Sequence, residues 1–96
     1  MLHIGPYKLP NRVALAPMAG VTDLPFRRLC ACLGAGLVVS EMISSKPELR
    51  GSRKTDWRSR HDPEIEPRSV QIAGNAPAQM AEAARYNVDL GAQLID

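Results

Sequence analysis

Pro17-Met18-Ala19-Gly20, Glu41-Met42 and Gln71-Ile72-Ala73-Gly74 are the places in this 96-residue chain where small and polar residues meet an apolar run. Groups of that kind do chemistry when several parallel strands deliver them to one face, because the ends of the strands can carry function while the strands themselves stay buried. Glu41 is the carboxylate among them. At a strand end a carboxylate serves a structural hydrogen bond at least as readily as it positions a substrate or cofactor, so Glu41 is given no role.

The other reactive residue types offer less. Cys30 and Cys32 stand two apart in a helical stretch, where side chains at i and i+2 diverge, so a disulfide between them is not expected and they read as core or surface thiols. His3 and His61 have no partner at a catalytic or ligand spacing and read as ordinary surface residues, and no zinc pattern is present. Between residues 46 and 60, Lys46, Arg50, Arg53, Lys54, Arg58 and Arg60 face only Glu48 and Asp56. Such a run is most often a solvated face, and a net charge of +2 is too small by itself to argue for a nucleic-acid partner.

Elements that would position these groups can be read from periodicity. Val13 to Ala16 is a short apolar run broken by Pro17, which reads as a buried strand. Thr22 or Asp23 can cap the following helix, Pro25 suits its first turn, and Gly34 or Gly36 can end it. Phe26, Leu29, Cys30 and Leu33 give that helix an apolar stripe expected to pack on a sheet. A second strand runs from Leu37 to Met42. Residues 43 to 67 are polar, basic and proline-containing, an insertion with a helical turn or two around Leu49 to Trp57. Ser69 to Gly74 reads as a third strand, Pro77 to Leu90 as an amphipathic helix closed by Gly91, and Ala92 to Asp96 as the start of a fourth strand.

Alternation of this kind is an α/β pattern with parallel strands. It suits both the doubly wound sheet and the eight-stranded barrel; MAGVTD lacks the glycine fingerprint that would favour the first, and the small, polar strand ends favour the barrel. The expectation is the amino-terminal portion of a TIM (β/α) barrel, about three and a half β/α units, with residues 1–96 an incomplete part of one catalytic domain.

Ala16-Pro17-Met18-Ala19-Gly20-Val21-Thr22-Asp23, Ser40-Glu41-Met42, Val70-Gln71-Ile72-Ala73-Gly74 and Gly91-Ala92-Gln93-Leu94-Ile95-Asp96, in this order and spacing, resemble the opening of the tRNA-dihydrouridine synthases, most of all the bacterial B-type enzymes. The resemblance implies an FMN enzyme that takes hydride from NADPH and reduces the 5,6 double bond of a uridine in tRNA. It implies that Pro17, Met18 and Ala19 lie against the flavin ring and that Gln71 hydrogen-bonds the ring edge. The residue types suit those roles, since small residues let backbone approach a flat ring and an amide offers both a donor and an acceptor. The family's proton-donating cysteine lies in an Asn-x-Gly-Cys-Pro segment after the fourth strand, which residues 1–96 do not contain, so no catalytic residue is assigned here and the fragment alone is expected to be inactive.

Placed after the second strand, the basic stretch would hang near the barrel mouth, and Lys46, Arg50, Arg53 and Lys54 are candidate tRNA phosphate contacts. Open sheet edges are expected to promote self-association of the fragment. A hydrophobic content of 45% excludes disorder, no run approaches the roughly 20 apolar residues of a membrane span, and MLHIGPYKLP lacks a signal core, so the reading is cytoplasmic. The rival readings are another FMN barrel, such as a dihydroorotate-dehydrogenase-like oxidoreductase, and a non-catalytic part-barrel binding module.

Overall fold

The computed structural model describes residues 2–96, with the side chains of Lys54 and Ser59 outside the description. The chain opens with an antiparallel hairpin, β1 (Leu2–Ile4) and β2 (Tyr7–Leu9), in which Ile4 faces Tyr7. Gly5 turns it with φ of 55°, the positive value that two-residue hairpin turns favour. This hairpin is not among the elements expected from the sequence, although the Gly5-Pro6 pair between two short apolar alternations is its signature.

Then follow β3 (Ala14–Leu15), α1 (Leu24–Cys32), β4 (Leu37–Val38), β5 (Ile43–Ser44), a single 3₁₀ turn over Pro47–Leu49, α2 (Arg53–Ser59), β6 (Ser69–Val70), β7 (Ile72–Ala73), α3 (Pro77–Asp89) and β8 (Leu94–Ile95). The parallel pairings β3 with β4, β5 with β7 and β6 with β8, joined by the bridge between Val39 and Ser69, set the stretches 14–15, 37–44, 69–73 and 94–95 side by side in sequence order. The expected sequential parallel strands are therefore present and the chain is α/β. Among the described residues the strands do not close into a barrel.

The middle stretch carries one extra residue. Val39 pairs with Ser69 and Ile43 with Ile72, so four steps along one strand match three along its neighbour. A bulge of this kind re-aims side chains, and it falls between Val39 and Ile43, where Ser40 and Glu41 are buried and Met42 is exposed.

Asp23 caps α1 by accepting a hydrogen bond from the Phe26 amide at 3.0 Å, and Pro25 occupies the first turn. Gly34 and Gly91, at φ of 110° and 112°, close α1 and α3 in the left-handed conformation that favours glycine. The core is Ile43, Val70, Ile72, Ala83 and Ala92, with Met80 and Ala84 packed against it, so α3 covers the strands with small residues and a methionine. Val88, near the end of the same helix, is exposed. The stripe expected on α1 is also turned away from this core. Leu24 and Arg27 are its buried residues, while Leu29 and Leu33 are 54% and 79% exposed. The cause is a tertiary contact: Arg27 is drawn inward because its Nη2 donates to the carbonyls of Arg60 at 3.0 Å and Arg58 at 3.5 Å, pinning the end of α2.

Candidate functional site

The Pro17–Asp23 loop follows β3 and is folded around one buried hydroxyl. Thr22, with no exposed surface, accepts from the Met18 amide at 2.9 Å and donates to the Met18 carbonyl at 3.2 Å, while the amides of Val21 and Thr22 also reach that carbonyl at 3.0 Å. Gly20 takes φ of 77° to complete the turn. The result presents Met18 and Ala19 to solvent with Pro17 half-buried beneath them. Among the described residues the backbone N–H and C=O of Ala19 engage no partner.

Gln71 sits between the buried Val70 and Ile72, so its side chain leaves the opposite face of the strand and is half-buried. Its Nε2 donates to Asp96 Oδ2 at 3.0 Å, which fixes the amide and leaves Oε1 free to accept among the described residues. Its backbone amide donates to Ser40 Oγ at 3.3 Å.

Between the loop and Gln71 lie Ser40 and Glu41, on the bulge of the intervening strand. Glu41, 3% exposed, accepts from the Gly20 amide at 3.2 Å and pairs with Arg58 Nε at 2.8 Å; Arg58 Nη1 in turn donates to the Met42 carbonyl at 3.2 Å. Ser40 and Glu41 thus tie the strand-one loop on one side to the Gln71 backbone on the other, and the four residues singled out from the sequence share one region of the sheet through this brace. The sequence alone gives Glu41 no role, and Ser40 enters there only within the Ser40-Glu41-Met42 segment of the resemblance. The available signal was a carboxylate set within an apolar strand, which needs a partner when buried.

The insertion is not a uniformly solvated face. Arg58 is the partner of Glu41, Arg50 lies 5.3 Å from the centre of the Tyr86 ring and 4.0 Å from Glu82, and Arg60 stacks on Trp57 at 5.3 Å. Of the candidate phosphate contacts, Lys46 and Arg53 are exposed, Arg50 is half-buried, and the side chain of Lys54 lies outside the described residues.

His61, expected at the surface, is half-buried. It lies among Leu24, Val38 and Pro67, with Nε2 lacking a hydrogen-bond partner among the described residues. Burial first, and then the neighbouring charges of Arg27 and Arg68, hold its pKa below the ordinary histidine value. Cys30 is half-buried and Cys32 exposed, both as free thiols on α1, away from this region. Among the described residues no group of three or more His, Cys, Asp or Glu side chains is placed to hold a metal ion, and no helix is long and apolar enough to cross a membrane.

Residues 14–96 match the family described as Dihydrouridine synthase. The chain is 66% identical over 96 residues to tRNA-dihydrouridine synthase B of Pseudomonas aeruginosa, covering all of this chain and 29% of that protein. It is 63% identical over 95 residues to tRNA-dihydrouridine synthase B of Xanthomonas axonopodis pv. citri and 56% identical over 95 residues to that of Salmonella typhimurium, covering 99% of this chain in each case. The chain spans 29% and 30% of the length of those two relatives. With the match covering the strand-one loop, the bulged strand, the Gln71 strand and the start of the fourth, the chain belongs to the dihydrouridine synthase family.

Proposed function

We propose that residues 1–96 form the amino-terminal part of an FMN-binding β/α barrel, and that the intact enzyme reduces the 5,6 double bond of uridine in tRNA with NADPH. The observation that carries this reading is the pairing of a solvent-facing loop with unengaged Ala19 backbone groups and a fixed Gln71 amide with a free oxygen, on strands braced to a common middle strand. That donor and acceptor set fits the alternating N–H and C=O edge of a flavin. Pro17, Met18 and Ala19 would lie against the ring, with Gln71 at its edge. When bound, the flavin supplies the hydride chemistry; the part of this chain is to orient the ring and shield one side of it.

No group in residues 1–96 is assigned as the proton donor to the substrate, and the phosphate of the cofactor would be held from elsewhere in the intact enzyme, since barrels commonly bind phosphate through loops after later strands. Exposed Lys46 and Arg53 are the strongest candidates for contact with tRNA phosphates. The relatives named tRNA-dihydrouridine synthase B support tRNA as the substrate, and their role in tRNA modification suits a cytoplasmic enzyme.

The test is flavin retention by the full-length enzyme. It should purify yellow, and Gln71→Ala should weaken FMN binding about two- to tenfold, as expected for loss of one hydrogen bond of about 0.5–1.5 kcal/mol. An enzyme that neither retains FMN nor binds it on addition would refute the reading, and unchanged affinity in Gln71→Ala would remove Gln71 from the site.

A further inference from the structure

We propose that Glu41 is a positioning residue, which holds the strand-one loop in its ligand-ready shape through the Gly20 amide and is itself held by Arg58 from helix α2. The proposal rests on the flavin reading above and adds a residue and a linkage that this reading does not require. Glu41 is 3% exposed, yet it neither faces the open surface nor neutralises a ligand; its Oε1 is shared between Gly20 N–H at 3.2 Å and Arg58 Nε at 2.8 Å. A buried carboxylate is costly unless its charge and lone pairs are met. Here the charge is met by α2 and the lone pair by the loop.

The chemistry of the contact gives it direction. Among the described residues Glu41 is the partner of the Gly20 amide, and Gly20 directly follows Ala19, whose free backbone groups are the ones offered outward. Thr22 on Met18 already clasps the two ends of the turn to each other. Glu41 holds its middle, and removing it leaves Ala19 and Gly20 joined to the fold through the chain alone. The bulge that places Glu41 inward sits at this position, with Ser40 alongside carrying the same brace to Gln71. Arg58 also binds the Met42 carbonyl at 3.2 Å, so docking of α2, the basic insertion helix, is tied to the same carboxylate.

The experiment compares two doubly substituted full-length enzymes that both lack the ion pair. Glu41→Gln with Arg58→Met keeps an oxygen for Gly20, whereas Glu41→Met with Arg58→Met does not; both lose the charge that Glu41 sets, beside Asp23, near the buried Arg27, so that change cancels between them. Hydrogen exchange of the peptide spanning residues 17–22 is measured without flavin, FMN affinity by fluorescence quenching, and melting temperature as a check on the fold. Glu41→Met/Arg58→Met should exchange faster at the loop and bind FMN about two- to tenfold more weakly than Glu41→Gln/Arg58→Met, the range expected for losing one neutral hydrogen bond that keeps the binding-competent state populated. Glu41→Asp draws the shared oxygen back from both partners, a move that the long Arg58 side chain can follow and the Gly20 backbone cannot, so it should shift in the same direction and covers the case in which a double variant fails to fold. Equal loop exchange and equal FMN affinity in the two doubles would overturn the proposal. Failure of the flavin reading is separable: the unsubstituted enzyme would then bind no FMN, and the exchange comparison alone would decide whether Glu41 orders the loop.

Discussion

Thr22→Val replaces the buried hydroxyl of the loop by a methyl group of nearly the same shape, so it isolates the hydrogen bonds from the packing. The Met18 carbonyl keeps the amides of Val21 and Thr22, both at 3.0 Å, and loses little. The Met18 amide loses its partner at 2.9 Å. Because Thr22 has no exposed surface, the vacated position is not open to water from its own side. An unsatisfied buried donor costs about 1–3 kcal/mol, and each kcal/mol lowers the melting temperature of a domain of roughly 150–250 residues by about 2–4 °C. Thr22→Ser supplies the contrast, since it keeps the hydroxyl and gives up one methyl, worth about 0.8 kcal/mol of burial. Thermal melts of the flavin-free, full-length enzyme followed by far-ultraviolet circular dichroism should rank the wild type first, then Thr22→Ser, then Thr22→Val. A Thr22→Val enzyme as stable as the wild type, or more stable than Thr22→Ser, would show that Thr22 acts by packing and that the loop is not organised by its hydroxyl.

Other expectations concern packing, pH and the isolated segment. Gly36→Ala would place a Cβ at 2.7 Å from the Asn11 carbonyl and 2.6 Å from its Oδ1, so it should destabilise by about 1–3 kcal/mol in denaturant titrations. His61 has a lowered pKa in the fold, so the unfolded chain binds the proton more readily; stability should therefore be full above about pH 6.5 and decline as the pH falls below it, and His61→Gln should flatten that decline in melts from pH 5 to 8. A pH profile unchanged by the substitution would rule out His61 as its source. Residues 1–96 expressed alone should be colourless with added FMN, self-associating by light scattering and inactive, because the paired strands leave edges open; a yellow, monomeric, active segment would contradict this.

Much of the scaffold was legible because strong local signals agreed with the final packing. Pro17 and Pro25 punctuate the strand-one loop and α1, Asp23 caps where its type and position allow, and Gly34 and Gly91 stop the helices where their backbone is left-handed. The sequence order of the parallel strands followed from the same alternation. The failures share another cause. The apolar stripe of α1 was read from periodicity, but which face turns inward was decided by Arg27, whose bonds to the Arg58 and Arg60 carbonyls span more than thirty residues of sequence. His61 and Arg58 left the solvated surface for the same reason, because their neighbours come from distant strands and helices.

The candidate site divides similarly. Pro17, Met18, Ala19 and Gln71 stood out as residue types at strand ends and through the family resemblance, and the fold presents the loop and the amide on strands flanking the same bulged segment. The brace itself was not legible. A one-residue bulge leaves no periodic trace in so short a strand, and Ser40 and Glu41 acquire meaning only once Gly20, Gln71 and Arg58 are beside them.

Product formation by the full-length protein tests most directly the proposal that this chain is part of a flavin-dependent enzyme acting on uridine in tRNA. Purified enzyme supplied with FMN, NADPH and unmodified tRNA should consume NADPH and yield dihydrouridine, detected by mass spectrometry of the digested tRNA as the nucleoside gaining a pair of hydrogens. Folded, flavin-loaded enzyme that leaves every uridine in a set of unmodified tRNAs unchanged, or that reduces a free pyrimidine in their place, would contradict the account.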